Sequence, residues 1–170
     1  NVDKIEHITT RVFRDPSAWY HIVVALNTAQ AASTNGLKLY INGVRETSFA
    51  TSTYTQNTEL WYNTDDIAMT VATNADKDQP FDGYISEFYW IDGTQYAASD
   101  FGEFDEDSGI WKPKKADVTF GTNGFFLAFK ESAVGSGSAS TIGADTSGNT
   151  HHYTSTNIAV TDQTTDTPTN

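Results

Sequence analysis

The stretch Trp19-Tyr-His-Ile-Val-Val-Ala-Leu26 constrains this chain more than any other part of it. It is an unbroken apolar run of strand formers. Alternation sends Trp19, His21, Val23 and Ala25 to one side and Tyr20, Ile22, Val24 and Leu26 to the other. A strand apolar on both sides is expected at the centre of a sheet covered on both faces. Asp15-Pro16-Ser17 before it reads as a turn. Beyond it, Asn42-Gly43 separates Leu37–Asn42 from Val44–Phe49; the dipeptide accepts positive φ at both turn positions and marks a two-residue hairpin.

Further strands are expected over His7–Arg14, Asp66–Ala72, Phe81–Ile91 and Gly124–Lys130, with a weak one near Tyr153–Val160. Thr51–Asn57 reads as polar loop. The longest helix is one turn, capped by Ser99 and running to Phe104. The 25 Thr and 13 Ser point the same way, to an all-β chain with polar faces. With 38% hydrophobic residues over 170, the core is thin, but 13% aromatics exclude a disordered chain. The sandwich is expected over residues 1–113. The basic linker Lys112-Pro113-Lys114-Lys115, one strand and an extended Ser/Thr/Gly-rich tail fill 114–170.

The net charge of −12 is local: residues 61–110 set Lys77 against twelve acidic groups. Such a surface repels phosphate backbones and argues against nucleic acid. No cysteine is present, which removes disulfides, thiolate zinc and a cysteine nucleophile. No apolar run approaches the roughly 18 residues of a membrane span.

Three chemistries remain. Hard oxygen ligands for calcium exist in the acidic loops at Asp76, Asp78 and Asp82, flanked by Asp65 and Asp66, and in the alternate spacing of Asp145, Ser147 and Asn149; solvated acidic loops are the competing reading, and no other cofactor is implied. Exposed aromatics offer sugar-stacking surfaces at Trp61, Tyr62, Trp90 and Trp111. The best of these is Trp61-Tyr62, beside the acceptors Asn63 and Asp65. His7, His21, His151 and His152 form no ligand set. Glu103-Phe104-Asp105-Glu106-Asp107 alternates carboxylates, but Gly102 and Gly109 flank it, so an acidic surface turn is expected.

The ordered set Trp19-Tyr-His-Ile-Val23, Leu37-Lys-Leu-Tyr-Ile-Asn-Gly43 and Phe81-Asp-Gly-Tyr-Ile-Ser-Glu-Phe88 resembles the second half of a laminin-G-like module. Phe81 to Gly93, Asp100-Phe-Gly-Glu103, Gly109-Ile-Trp-Lys-Pro-Lys114, Gly121-Thr-Asn-Gly-Phe-Phe126 and Thr161-Asp-Gln163 with Asp166-Thr-Pro-Thr-Asn170 resemble laminin-G-like virion proteins of tailed bacteriophages. Together the resemblances cover roughly residues 19–170. They imply a concanavalin A-like jelly-roll sandwich, incomplete in this chain because only about 18 residues precede the Trp-Tyr-His strand. Asp145-Thr-Ser-Gly-Asn149 resembles an element near the opening of such modules. The chain is therefore expected to be part of a larger polypeptide, or to have its sheet completed by a neighbour.

The implied function is a non-enzymatic virion module, structural or adhesive, at the particle surface. Its partners would be other virion subunits, further copies of itself, and a cell-surface glycan. A host-recognition lectin is the alternative. A glycoside hydrolase is the weaker one: related sandwich hydrolases use Glu-x-Asp-x-Glu or Glu-x-Asp-x-x-Glu on a strand, whereas here the last position is Asp107 or Ser108.

Overall fold

The computed structural model describes residues 5–60, 69–74 and 76–165. Strands dominate, in four small antiparallel sheets. The chain divides into two compact units, Asn1–Gly83 with Tyr96–Lys114, and Tyr84–Gln95 with Lys115–Asn170.

In the first unit, β1 (Glu6–Thr9) pairs with β5 (Phe49–Thr53), and β2 (Ile22–Leu26), β3 (Leu37–Ile41) and β4 (Val44–Arg45) form a three-stranded sheet in that order. One turn of helix, α1 (Ser33–Gly36), leads into β3. Asn42 (φ 48°) and Gly43 (φ 75°) make the expected hairpin turn. The Asn42 side chain also accepts the backbone N–H of His21 at 2.8 Å, which takes the place of a ladder bond where β2 begins. A single 3-10 turn, Ala98–Asp100, precedes the hairpin of β7 (Gly102–Phe104) and β8 (Trp111–Pro113).

In the second unit, β6 (Phe88–Trp90) pairs with β9 (Phe125–Leu127). Phe125 and Leu127 are the best-buried large side chains of this unit. Tyr89 stacks on Phe126 at 4.1 Å between centroids, and Phe125 meets Tyr153 at 4.8 Å. Burial pushes the Tyr153 hydroxyl up to about 12, with the charge of Asp145 adding to it. The weak strand expected near Tyr153–Val160 is irregular chain, and a 3-10 turn, Val160–Asp162, begins at its last residue.

Side chains hold the Ser/Thr/Gly-rich segment after Lys130. Buried Asp145 receives four donors: the N–H groups of Phe126, Ser147 and His151 and the hydroxyl of Ser147, all within 2.8–3.0 Å. Its own N–H donates to His152 Nδ1, and the Asn149 amide donates to the carbonyls of Gly121 and Gly124. Short polar side chains thus bind backbone groups that no sheet ladder reaches.

Several expected elements differ. Trp19–Leu26 is shorter than expected, and β2 is an edge strand among the described residues, not a central one. Val44–Phe49 is interrupted because Glu46 Oε1 accepts the N–H groups of Thr47 and Ser48, bending the chain before β5. The polar segment expected as loop therefore contains a strand: β-branched Thr51 and Thr53 extend as readily as apolar residues. Phe81–Ile91 keeps only β6, since Glu87 adopts positive φ (52°) just before it. Positive φ at Phe129 (52°) likewise stops β9 short of Lys130. The start of Asp66–Ala72 lies outside the described residues, and the described part from 69 onward is not a strand.

Asp145 yields the first prediction. Its desolvation would raise its pKa, but the hydrogen bonds from Phe126, Ser147 and His151 outweigh that and hold it below the usual carboxylate range. A lowered folded value means its stabilisation is complete above the unfolded range near pH 4 and is lost as pH falls through the folded value. Asp145→Asn turns an acceptor-only group into one that faces donors with a donor. It should destabilise by more than about 2 kcal/mol at pH 7. Chemical denaturation should show this deficit shrinking as pH is lowered from 7 towards 2; a constant deficit would show that Asp145 does not act through its charge.

Candidate functional site

A cleft of about 380 Å³ lies in the first unit, built on the β7–β8 hairpin. The hairpin has two unlike sides. Phe104 lies directly opposite Trp111, and their rings meet edge to face at 4.9 Å. Glu103 lies opposite Lys112 on the other side. Lys114 Nζ stands 3.7 Å from Glu103, and Lys112 Nζ stands 2.5 Å from Asp105. The loop between the strands closes through Asp105, whose carboxylate accepts the N–H and hydroxyl of Ser108.

Two glycines seat the Trp111 indole. A Cβ on Gly43 would run into the six-membered ring of the indole. A Cβ on Gly102 would stand 2.5 Å from Trp111 Cζ2 and 2.8 Å from the Lys112 carbonyl. The Asn42-Gly43 turn therefore serves both as a hairpin and as a bed for a ring nearly seventy residues away in sequence. Tyr40, Ser99, Glu103 and Lys114 also line the cleft. Phe104 is half exposed, so an aromatic face is open to a ligand.

Behind the floor, the indole Nε1–H of Trp111 and Nδ1 of His21 are buried without a hydrogen-bond partner among the described residues. Their rings stand 5.7 Å apart. Burial lowers the pKa of His21, so this ring is neutral at pH 7. Unmet buried polar groups are rare and expensive, and they concentrate where a site has a use for them.

The carboxylates of the hairpin differ in freedom. The hydrogen bond from Lys112, then those from Ser108, hold Asp105 far below the ordinary carboxylate range. It is a fixed anion with its oxygens occupied. Glu103 is widely exposed and touches Lys114 only at long range, an arrangement worth little in water. Asp105 to Gly109 form the acidic surface turn expected from the flanking glycines, with Glu103 on the strand before it.

A second depression, about 680 Å³ and wide open, lies in the other unit beside Phe120, Ser147, Asn149 and His151. Its polar groups are committed internally. Asn149 and His151 bond the carbonyls of Gly121, Gly124 and Thr122, and Ser147 donates to Asp145. It offers a ligand less than the Trp111 cleft does.

Of the residues singled out from sequence, Trp61, Tyr62, Asn63 and Asp65 lie outside the described residues. Asp76, Asp78 and Asp82 are exposed in the first unit, and Asn74 ties down Asp78 through its amide at 2.6 Å. Asp145 and Asn149 belong to the other unit, with their polar atoms engaged as described. Among the described residues no group of three or more His, Asp or Glu is placed to hold a metal. Trp90 pairs with Phe125 across β6 and β9, whereas Trp111 underlies the cleft. Sequence reasoning missed Phe104, Tyr40 and Lys114. A usable signal existed in the opposed patterns Gly102-Glu103-Phe104 and Trp111-Lys112-Pro113 around a Gly109 turn, with acids facing lysines.

Residues 2–98 match the family described as the concanavalin A-like lectin/glucanases superfamily, more than half of the chain. The match includes Tyr40 and Gly43 of the cleft and stops before Phe104 and Trp111. No curated protein and no solved structure gives a significant match.

The seat of Trp111 gives the second prediction. Gly43→Val places a β-branched residue at φ 75° and drives its Cβ into the indole. The conformational cost alone is about 1–3 kcal/mol. The melting temperature should fall and the tryptophan emission should shift. An unchanged melting temperature would mean that neither the turn nor the indole seat is formed.

Proposed function

We propose, from the premise that this chain belongs to the concanavalin A-like lectin/glucanases superfamily, that it is a non-enzymatic adhesion module which meets a glycan at the Trp111 cleft. Membership fits a carbohydrate-binding or a structural role. The observation that carries the adhesive reading is the open aromatic pair Phe104–Trp111 with Glu103 and Lys114 at its edge. A sugar presents one C–H face to stack on an aromatic ring and hydroxyls that need charged or polar partners. A cleft of this volume suits one or two sugar units. The finer setting, a tailed-phage virion surface with other virion subunits as neighbours, rests on the sequence resemblance alone.

The non-enzymatic part rests on chemistry. A retaining glycosidase needs two carboxyl groups about 5–5.5 Å apart, one of them able to be protonated. Both Asp105 oxygens are engaged, one by Ser108 and one by Lys112, which leaves neither free to attack a sugar carbon, and Glu103 is exposed. A structural role is favoured by a different feature, the aliphatic side of the β2–β3–β4 sheet, buried at Ile41 but with Ile22, Val24 and Val44 all more than half exposed at its margins.

Two outcomes are expected. Against an array or a titration of surface glycans, Phe104→Ala should weaken binding about tenfold, the value of one aromatic stack. Loss through Trp61→Ala with Phe104→Ala intact would move the site to Trp61. In a β-glucan turnover assay no reducing ends should appear, and a turnover that Glu103→Gln abolishes would make the chain a hydrolase.

A further inference from the structure

The β2–β3–β4 sheet has one finished side and one unfinished side. Cross-strand pairing places Ile22 opposite Ile41, Val24 opposite Leu39, Leu26 opposite Leu37, and Val44 opposite Ile41. Directly paired residues share a face, so this face is aliphatic throughout. The other face carries Val23, Ala25, Lys38 and Tyr40, with Tyr40 reaching the Trp111 cleft. The aliphatic face is open at its margins: Ile22 is 54% exposed, Val24 63% and Val44 56%.

The free edge of β2 is equally bare. The bonds Asn42 N–H to His21 carbonyl and Asn27 N–H to Gly36 carbonyl set the phase of the ladder. Antiparallel pairs alternate between bonded and non-bonded, so Val23 and Ala25 bond to β3. The backbone N–H and C=O groups of Ile22, Val24 and Leu26 therefore point outward, and β2 has no second neighbour among the described strands. β2 carries no Lys, no Pro and no bulge.

We propose that this edge pairs with β2 of a second copy of the chain, antiparallel about a two-fold axis through Val24. In that register Val24 faces its twin, and Ile22 faces Leu26 in both directions. All three outward-facing residues then form bonded pairs, giving about six new hydrogen bonds. The same pairing sets Ile22, Val24 and Leu26 side by side on the open face, so two aliphatic faces join into one. The strand is self-complementary, as an isologous contact requires.

Charge selects the same place. Each copy carries a net charge of −12, so two copies repel over most approaches. Trp19 to Leu37 holds no Asp, Glu, Lys or Arg, and it contains all of β2. Copies meeting there bring no charged side chain of β2 itself into contact. A structural or an adhesive role would both be served, since the Trp111 cleft is built from other strands and stays available on each copy.

The test uses the whole chain in analytical ultracentrifugation. A dimer should be seen at tens of micromolar. Val24→Lys, at a position already 63% exposed, should raise the dimer dissociation constant at least tenfold while leaving the monomer folded by circular dichroism. Val24→Pro removes an outward N–H without taking a ladder bond from β3 and should act in the same direction. The chain has no cysteine of its own, so single-cysteine variants report cleanly. Val24→Cys should cross-link to a disulfide dimer under mild oxidation, because paired Cα atoms stand about 5.5 Å apart in such a ladder. Val44→Cys, on the same face but two strands away, should not. A chain that stays monomeric at about 500 μM, roughly tenfold above that range, would overturn the proposal. So would a dimer that Val24→Lys leaves intact, or equal cross-linking of the two cysteine variants.

Discussion

The first unit depends on one side chain resting where no other side chain can be. The Trp111 indole lies against Gly43 and Gly102, and a single methyl on either would displace it. An aromatic of this size buries on the order of 150–250 Å², a large share of what a chain with so few big buried residues can bury. The same contact joins two hairpins that are far apart in sequence: the Asn42-Gly43 turn of β3–β4 and the β7–β8 pair. It also fixes the aromatic floor on which the cleft depends. Stability and site share this contact, so Phe104, at the open edge, separates them better than Trp111 does.

Elsewhere, short polar side chains carry the fold. Asp145 gathers three backbone N–H groups and a hydroxyl, Asn149 ties two carbonyls, Glu46 bends the chain after β4, and Asp105 closes the β7–β8 loop. Arg11 pairs with Glu46 at 2.8 Å, and the carboxylate stays below the usual range through that bond first and the Ser48 N–H second. These groups satisfy the backbone where strands are only two to five residues long. A chain poor in large aliphatic residues but rich in Thr, Ser, Asn and Asp can stay ordered this way, because each such bond satisfies a group that would otherwise need a ladder partner.

That economy explains what could be read from sequence. The all-β class, the Asn42-Gly43 hairpin, the β2 and β3 cores and the Phe125–Leu127 strand follow from local patterns that need no distant partner. Strand ends did not follow, because they are set by side-chain bonds across sequence: Glu46 to Ser48, Asn42 to His21. Positive φ at Glu87 and Phe129 ended strands where no glycine announced it. The β5 strand was hidden because Thr-rich segments look alike in loops and on exposed sheet faces. For the cleft, Trp111 was visible as an aromatic and Glu103 as an acid, but their relation was not. It depends on Gly43, whose turn role already accounted for it and concealed its second use.

The position of β2 shows how charge and apolar pattern act together. Taken alone, a strand apolar on both sides asks for neighbours on both edges and cover on both faces. Among the described residues it has one strand neighbour, and its own Ile22 and Val24 are more than half exposed. An edge of that kind would ordinarily invite any extended segment to pair with it. The acidic surface narrows the choice. Most of the net charge lies in residues 61–110, away in sequence from the uncharged Trp19–Leu37 stretch. Repulsion that falls off over about 10 Å at moderate salt discourages indiscriminate contact but acts weakly at a strand whose own residues are neutral. A neutral strand in an acidic chain lets two copies approach without adding charge from β2 itself, which favours pairing there over indiscriminate contact.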